Sequence, residues 1–323
     1  MAADGGASVS LDQMCAIVVN LERDKVTVEA GATVSSIHIA LERAGRALSH
    51  TTALTTTALT TETIGGCVAA GTHSIGRGYG LLASLVVSGT LVLPDGSVKT
   101  GTVADDPLIR ASLVGLGLLG VWHSITLRTV PLFHLKKEIK MIASADTFYD
   151  TRVSEELLSG ADSVQWFVYP ATNSAKIVTR HAATPEDTAS LPGSWNDEGT
   201  AASTHAVSCD VGYRAVAYPC GTFDGRPEGP WRQTESEFFL PAATAIDVAK
   251  AFIDGSSEED RACFFVFGRY VAAGDHLLGP NQVDSVALTC VVPHIEEKPD
   301  DPRFKALQDP FEAACVRAGG RPH

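Results

Sequence analysis

A glycine-rich stretch from Thr63 to Gly80, TIGGCVAAGTHSIGRGYG, is the feature that most constrains this chain. Six glycines fall within its eighteen residues. Glycine has no Cβ and adopts positive φ at little cost, so such a backbone can approach a flat or phosphorylated ligand closely. The stretch contains neither a GxxxxGKS/T sequence nor a GxGxxG placed between a strand and a helix. It therefore indicates either a ligand-binding loop of another type or a set of simple turns.

Composition and charge narrow the class of protein. The 323 residues suggest two domains, and 45% hydrophobic with 20% charged residues is typical of a soluble globular chain. The formal net charge of −13 argues against a nucleic-acid partner and against attraction to anionic lipid. We therefore expect that any small-molecule partner is not recognised by bulk charge.

The cysteines and the N-terminal sequence bear on the compartment. The seven cysteines are odd in number and show no C-x-x-C spacing, which argues against a disulfide framework and against zinc, and no metal is expected. The first residues lack the basic and apolar regions of a secretory signal. These features predict an intracellular protein, soluble or peripherally associated with a membrane.

Local signals in the first part of the chain alternate between strand and helix. Residues 25–30, KVTVEA, predict a strand, after which Thr33 caps a helix that Gly45 ends. Two strands over 85–93 and 98–103 flank the turn sequence Pro94-Asp95-Gly96 and predict a β-hairpin. Asp106-Pro107 opens a further short helix, and residues 121–130 predict another strand.

The pattern after about residue 132 indicates an antiparallel sheet with covering helices. Strands are predicted over 164–169, 176–180, 263–272 and 285–292, and helices over 241–253 and 301–318. Two other segments, 50–63 and 182–206, are expected to be a loop or extended edge and an exposed insertion, respectively. The predicted fold class is α+β, with a domain boundary near residues 131–136.

Ordered segments along nearly the whole chain resemble the aldonolactone oxidase family of FAD-linked oxidases, which includes L-gulonolactone oxidase and D-arabinono-1,4-lactone oxidase. In the first half the similar segments are VTVEAG (26–31), TIGG…GTHSIG (63–76), LVLPDGSV (91–98), LGLLGV (116–121) and TVPLFHL (129–135). In the second half they are WFVYPATNSA (166–175), QTESEFFLP (233–241), GRYVAAGDHLLGP (268–280), QVDSV (282–286) and GGRPH (319–323).

The resemblance implies a fold, a cofactor and a reaction. It implies a PCMH-type FAD-binding domain over 1–132 and an antiparallel-sheet substrate domain with covering helices over 133–323. The implied reaction oxidises a sugar 1,4-lactone, with electrons passing to dioxygen or another acceptor. The implied contacts are Thr63, Gly65, Gly66, Gly71, Thr72, His73 and Ser74 along FAD, and Val121 at its adenine half.

In the substrate half the resemblance implies a catalytic role for Arg269. The family places an acidic residue two positions before this arginine, where the pair handles substrate hydroxyls. Here that position is Phe267, which cannot accept a proton. Either the register slips locally at this point, or the protein binds a different substrate or binds its substrate poorly. An alditol oxidase therefore stays an alternative.

Compared with the family, the sequence is expected to be truncated at both ends. The pyrophosphate loop and the histidine for covalent flavin attachment precede the matched region, so any FAD is expected to be bound non-covalently. A lysine that contacts substrate follows the matched region. The alternatives are a non-catalytic remnant and, less favoured, a carbohydrate-binding module.

Overall fold

Two β-sheets organise the protein, one in each half of the chain. The computed structural model describes residues 8–49, 62–73, 75–133, 135–150, 161, 163–182, 184, 206–208, 216–218, 221–223, 232–294 and 302–323. Most of the segments predicted as a loop (50–63) and an insertion (182–206), together with Ser74, lie outside these residues.

The first sheet has five antiparallel strands. Its order is β1 (Ile17–Asn20), β2 (Lys25–Glu29), β6 (Val121–Arg128), β4 (Val86–Val92), β5 (Val98–Thr102). A separate two-stranded sheet in this half of the chain comprises β3 (Arg46–Ala47) and β7 (Val130–Pro131). The helices of this half are α1 (Val34–Arg43), α2 (Ile64–Ala70) and α3 (Pro107–Ser112), with a 3₁₀ turn at Leu82–Leu85.

The second sheet has eight strands and is antiparallel except for one short parallel edge pair. Its order is β11 (Ala206–Ser208), β8 (Leu135–Ile142), β10 (Ser174–Ala182), β9 (Ser163–Tyr169), β15 (Phe265–Val271), β16 (Ser285–His294), β14 (Arg232–Pro241), β17 (Arg321–Pro322). A separate pair comprises β12 (Val216–Tyr218) and β13 (Gly221–Phe223). The helices are α4 (Ala145–Tyr149), α5 (Ala245–Gly255), α6 (Glu258–Arg261) and α7 (Pro302–Arg317), with a 3₁₀ turn at Pro170–Thr172.

The strongest local signals of the sequence correspond to observed elements. Thr33 caps α1, because its Oγ1 accepts the Ser36 N–H at 3.2 Å, and Gly45 follows with φ 65°. The β4–β5 hairpin turns at Gly96, and Asp106 caps α3 through the Leu108 N–H at 2.9 Å. The mixture of helices and antiparallel sheets confirms the α+β class.

The glycine-rich stretch departs from the predicted loop, because Ile64–Ala70 forms helix α2. Two glycines in its first turn disfavour a helix by about 1 kcal/mol each. Tertiary packing outweighs this cost, since Ile64, Cys67 and Val68 are buried on one face. The prediction failed because it weighed glycine content more heavily than this apolar face.

The helix predicted from residue 241 begins later than expected. Pro241 is the last residue of β14, where it pairs with Ser285, and α5 starts at Ala245.

Cys263 differs from what the cysteine pattern indicated, because it is disulfide-bonded. Four other cysteines are free thiols: Cys15, Cys67, Cys290 and Cys315.

The buried cores of the two halves are in contact. One core lies between the first sheet and helices α1 and α2, and the other lies between the second sheet and helices α4, α5 and α7. Phe239, Val271 and Ala287 of the second sheet belong to the first core. The boundary at residue 132 stays a prediction, although the first sheet ends at Arg128 and the second begins at Leu135.

A glycine in the second sheet provides a test of this packing. A Cβ at Gly268 would overlap the Trp166 indole, which is fully buried. We expect Gly268→Ala to lower the free energy of unfolding by about 1–3 kcal/mol, measured by urea denaturation. The control is Gly255→Ala at the end of α5, where no atom lies within 4 Å of the new Cβ. Equal stability of the two variants would contradict the packing described.

Candidate functional site

The carboxylate of Glu237 on β14 is the centre of a buried polar cluster. Its Oε1 lies 3.0 Å from His73 Nε2 and 3.3 Å from His323 Nδ1. Its Oε2 accepts the Thr289 hydroxyl at 2.6 Å and Nη2 of Arg269. The Glu237 side chain is 10% exposed and that of Arg269 11%. The cluster therefore joins residues from the glycine-rich stretch, three strands and the C-terminal residue of the sequence.

Strand register brings three of these groups to one face of the second sheet. Thr289 on β16 pairs with Glu237 on one side and with Phe267 of β15 on the other. Directly paired residues of antiparallel strands point to the same face, as do residues two apart along a strand. Arg269 therefore shares the face of Phe267. The carboxylate that pairs with Arg269 is that of Glu237, two strands away from Phe267.

Backbone hydrogen bonds hold His73 against this face. The Thr72 N–H donates to Cys67 O at 3.0 Å, and the Gly76 N–H donates to Tyr270 O on β15 at 2.7 Å. The His73 ring is 5% exposed and meets Phe239 edge-on at 5.1 Å between centroids. His73 was predicted to line FAD, with a core histidine bonded to backbone as the alternative. It is buried, but its bond from Nε2 is to a carboxylate.

The electrostatics of the cluster favour a charged carboxylate and a neutral imidazole. Burial raises the pKa of Glu237, but the charge of Arg269, followed by His73 and His323, holds it well below its ordinary value of 4.5. Burial and then the Arg269 charge lower the pKa of His73, against the opposing effect of Glu237. Glu237 and Arg269 are thus a buried ion pair beside a neutral histidine.

The predicted FAD residues of α2 have different environments. Gly65 is buried, donates its N–H to Ala30 O at 3.0 Å, and would place a Cβ 2.9 Å from Ala30 Cβ, so its packing against β2 already requires glycine. Gly71 ends α2 with φ 79°. Thr63 precedes the helix, and Gly66 in its first turn is exposed. Gly66 is thus the glycine of α2 whose surface is open to a ligand.

Exposed apolar side chains lie close to this helix in the loop that leads to β6. Leu116, Leu118 and Val121 are 63%, 73% and 47% exposed. We call these three residues the apolar patch. The loop is fixed to α2, because the Leu116 N–H donates to Ala69 O at 3.0 Å and the Val114 N–H to Val68 O at 3.0 Å.

The backbone of this loop is strained. Val114 and Leu116 have φ of 54° and 52°, which is unusual for a bulky or β-branched residue. Val121 belongs to this exposed apolar patch, and its contact with the adenine half of FAD stays a prediction. Exposed apolar side chains and the exposed Gly66 are surfaces of a kind that suits FAD.

Three members of the cluster were not predicted as site residues: Glu237, Thr289 and His323. Glu237 and His323 lie in segments that carried the family resemblance, QTESEFFLP and GGRPH, yet had no assigned role. The sequence signal available for Glu237 was a carboxylate directly before the apolar residues that end its strand. The sequence offered no such signal for Thr289, because a threonine is ordinary in a strand.

Comparisons with known proteins bear on the class of protein. A family model described as an FAD binding domain matches residues 1–102. Mouse L-gulonolactone oxidase is 39% identical over 118 residues, 36% of this chain and 26% of that protein. The enzyme of the same name from Scyliorhinus torazame is 25% identical over 94% of this chain and 72% of its own length. D-arabinono-1,4-lactone oxidase of Yarrowia lipolytica is 29% identical over 45% of this chain and 26% of its own.

Solved structures support the fold. A carbohydrate oxidase from Microdochium nivale superposes with a TM-score of 0.68 at 15% identity, covering 95% of this chain and 69% of that one. A xylooligosaccharide oxidase from Myceliophthora thermophila C1 superposes with a TM-score of 0.67 at 16% identity, with the same coverage of both chains. The chain thus has the fold of PCMH-type FAD-linked oxidases, with FAD as the cofactor of its first domain. Within that class its sequence is similar to those of the aldonolactone oxidases named above. In the alignments with the mouse and Y. lipolytica enzymes it spans about a quarter of their length.

No helix in the described ranges is long and apolar enough to cross a membrane.

Removing the charge of Glu237 should destabilise the protein. We expect Glu237→Gln to cost about 3–5 kcal/mol near neutral pH, because Arg269 would stay buried without its counter-charge. The pKa of Glu237 is lower folded than unfolded, so its contribution is present above pH 4.5 and is lost as the pH falls through the folded value. The difference between variant and wild type should therefore shrink in acid.

Urea denaturation at several pH values measures both effects. The control is Glu258→Gln in the first turn of α6, where the side chain is exposed. An equal loss in the two variants, or a loss for Glu237→Gln that does not change with pH, would contradict the ion pair described.

Proposed function

We propose that this chain is an FAD-dependent oxidase of a sugar 1,4-lactone, such as gulono-, galactono- or arabinono-1,4-lactone, and that dioxygen accepts the electrons. The observation that carries the proposal is the buried Arg269, held by Glu237 on the same sheet face as Phe267. The names of the relatives support the substrate class. FAD, when bound, supplies the acceptor for the hydride that leaves the carbinol carbon of the substrate.

Arg269 is the catalytic residue of the proposal. Its Nη2 is bonded to Glu237, while its buried Nε has no hydrogen-bond partner within the described part of the chain. An unpaired buried N–H is costly, so a substrate oxygen that accepts it would bind favourably. The guanidinium would orient the hydroxyl and stabilise negative charge as its proton leaves.

Phe267 and Glu237 set the position of that guanidinium. Arg269 Cζ lies 5.0 Å from the centre of the Phe267 ring, and Phe267 lies 5.4 Å from Phe167. The arginine is therefore fixed between a carboxylate and an aromatic ring. In this proposal Phe267 provides a wall of the site rather than a proton acceptor.

The cofactor would be held by the glycine-rich stretch and the apolar patch. Thr63, Gly66, Thr72, His73 and Ser74 are the proposed contacts along FAD, together with backbone at Gly65 and Gly71. Val121 is the proposed contact at the adenine half. The exposed Gly66 and the exposed apolar patch support this assignment.

Substitution of Gly66 tests the flavin site. A Cβ at Gly66 would approach only Thr63 Oγ1, at 3.4 Å, so the fold should accept a side chain there. We expect Gly66→Leu to reduce FAD bound per chain at least tenfold with unchanged unfolding, because the side chain would occupy the surface that FAD contacts.

Absorbance of purified protein titrated with FAD measures the ratio. The control is Gly78→Leu, where the new Cβ has no neighbour within 4 Å. Equal FAD binding by both variants would contradict the assigned surface. A folded wild-type chain that takes up no FAD would contradict the proposed function and favour a non-catalytic protein.

Arg269 variants test the chemistry. We expect Arg269→Lys to retain its FAD but lower turnover about 10²- to 10³-fold, because lysine keeps the charge without the planar fork. Peroxide release with the three lactones measures turnover, and xylitol in parallel distinguishes an alditol oxidase. Arg317→Ala on the exposed end of α7 is the control. A turnover by Arg269→Lys equal to that of this control would exclude Arg269 from catalysis.

A further inference from the structure

We propose that His73, Glu237 and His323 form a binding site for one divalent transition-metal ion, with Zn²⁺ as the favoured ion. The three side chains offer one ligand atom each, and these atoms all lie within 4.8 Å of one another. Two imidazoles and one carboxylate are a common ligand set for zinc. The proposal goes beyond flavin chemistry and does not depend on it.

The separations agree with tetrahedral coordination. Ligand atoms about 2.0–2.2 Å from a central Zn²⁺ lie roughly 3.3–3.5 Å apart in a tetrahedron. Glu237 Oε1 lies 3.0 Å from His73 Nε2 and 3.3 Å from His323 Nδ1. These two separations lie within a few tenths of an ångström of the tetrahedral value, and the ligand atoms of the two histidines lie within 4.8 Å of each other.

The hydrogen bonds of His323 leave its second ring nitrogen facing Glu237. Its Nε2 lies 3.2 Å from Gly71 O, and a carbonyl can only accept, so Nε2 donates to it. Nδ1, 3.3 Å from Glu237 Oε1, is then the nitrogen of this ring that can act as a ligand to a metal ion.

Groups around the three ligands form the outer contacts that metal sites require. Gly71 O orients the His323 ring, while the Thr289 hydroxyl and Arg269 hold Oε2 of Glu237 and leave Oε1 for the ion. The His323 side chain is 31% exposed, which provides a path of entry.

Metal titration of the tag-free 323-residue chain tests the proposal. After treatment with chelator, we expect one Co²⁺ per chain to give the visible absorption of tetrahedral cobalt, and one Zn²⁺ to displace it. His323→Ala should weaken Zn²⁺ binding at least tenfold and abolish the rise in Tm that Zn²⁺ produces in the wild type. Because His323 is partly exposed, this variant should keep the fold.

The same metal titration is carried out on two further variants, Glu237→Gln and the control His123→Ala. Glu237→Gln should also lose the cobalt spectrum, whereas His123→Ala on the exposed face of β6 should keep it. Absence of saturable binding at one ion per chain, or equal affinity in His323→Ala and the wild type, would overturn the site. Flavin absorbance is read separately, so either proposal can fail alone.

Discussion

The buried carboxylate of Glu237 is the interaction on which the rest of the site depends. Transfer of an unpaired carboxylate from water to a protein interior costs several kcal/mol, so this charge needs close partners. It has them in Arg269, Thr289, His73 and His323. Because His73 follows α2 and Arg269 lies on β15, the same carboxylate ties the glycine-rich stretch to the second sheet.

This arrangement links stability to the proposed chemistry. Glu237 fixes Arg269 through one pair of atoms and leaves Nε of the guanidinium for a further acceptor. Phe267 lies beneath the arginine, and the carboxylate that pairs with Arg269 comes from β14 rather than from its own strand. In the proposal, the exposed apolar patch beside α2 provides the second element, a surface for the cofactor.

The parts of the fold that could be predicted depend on neighbouring residues. Thr33, Asp106 and the Pro94-Asp95-Gly96 turn act within three or four positions, so their signals are visible in the sequence. Helix α2 was missed because burial of its apolar face, which is a tertiary effect, offsets the cost of two glycines. The resemblance to a family assigned roles to Arg269 and to the glycine-rich stretch, which local patterns could not do, and these roles stay predictions.

The cluster itself could not be predicted. Glu237 is 164 residues from His73 and 32 from Arg269, and the contacts follow from the register of β14, β16 and β15. A one-residue shift in that register would turn Glu237 to the opposite face of the sheet. A sequence shows which strands are apolar but not how such strands pair.

A double-mutant cycle between Glu237 and Arg269 tests the central claim most directly. The free energies of unfolding of the wild type, Glu237→Gln, Arg269→Met and the double variant give the coupling between the two side chains. Each single variant leaves a buried group without its partner, whereas the double variant removes both charges. The account predicts a coupling of about 2–3 kcal/mol, with the double variant more stable than the sum of the single losses implies. Additive losses, with a coupling near zero, would contradict it.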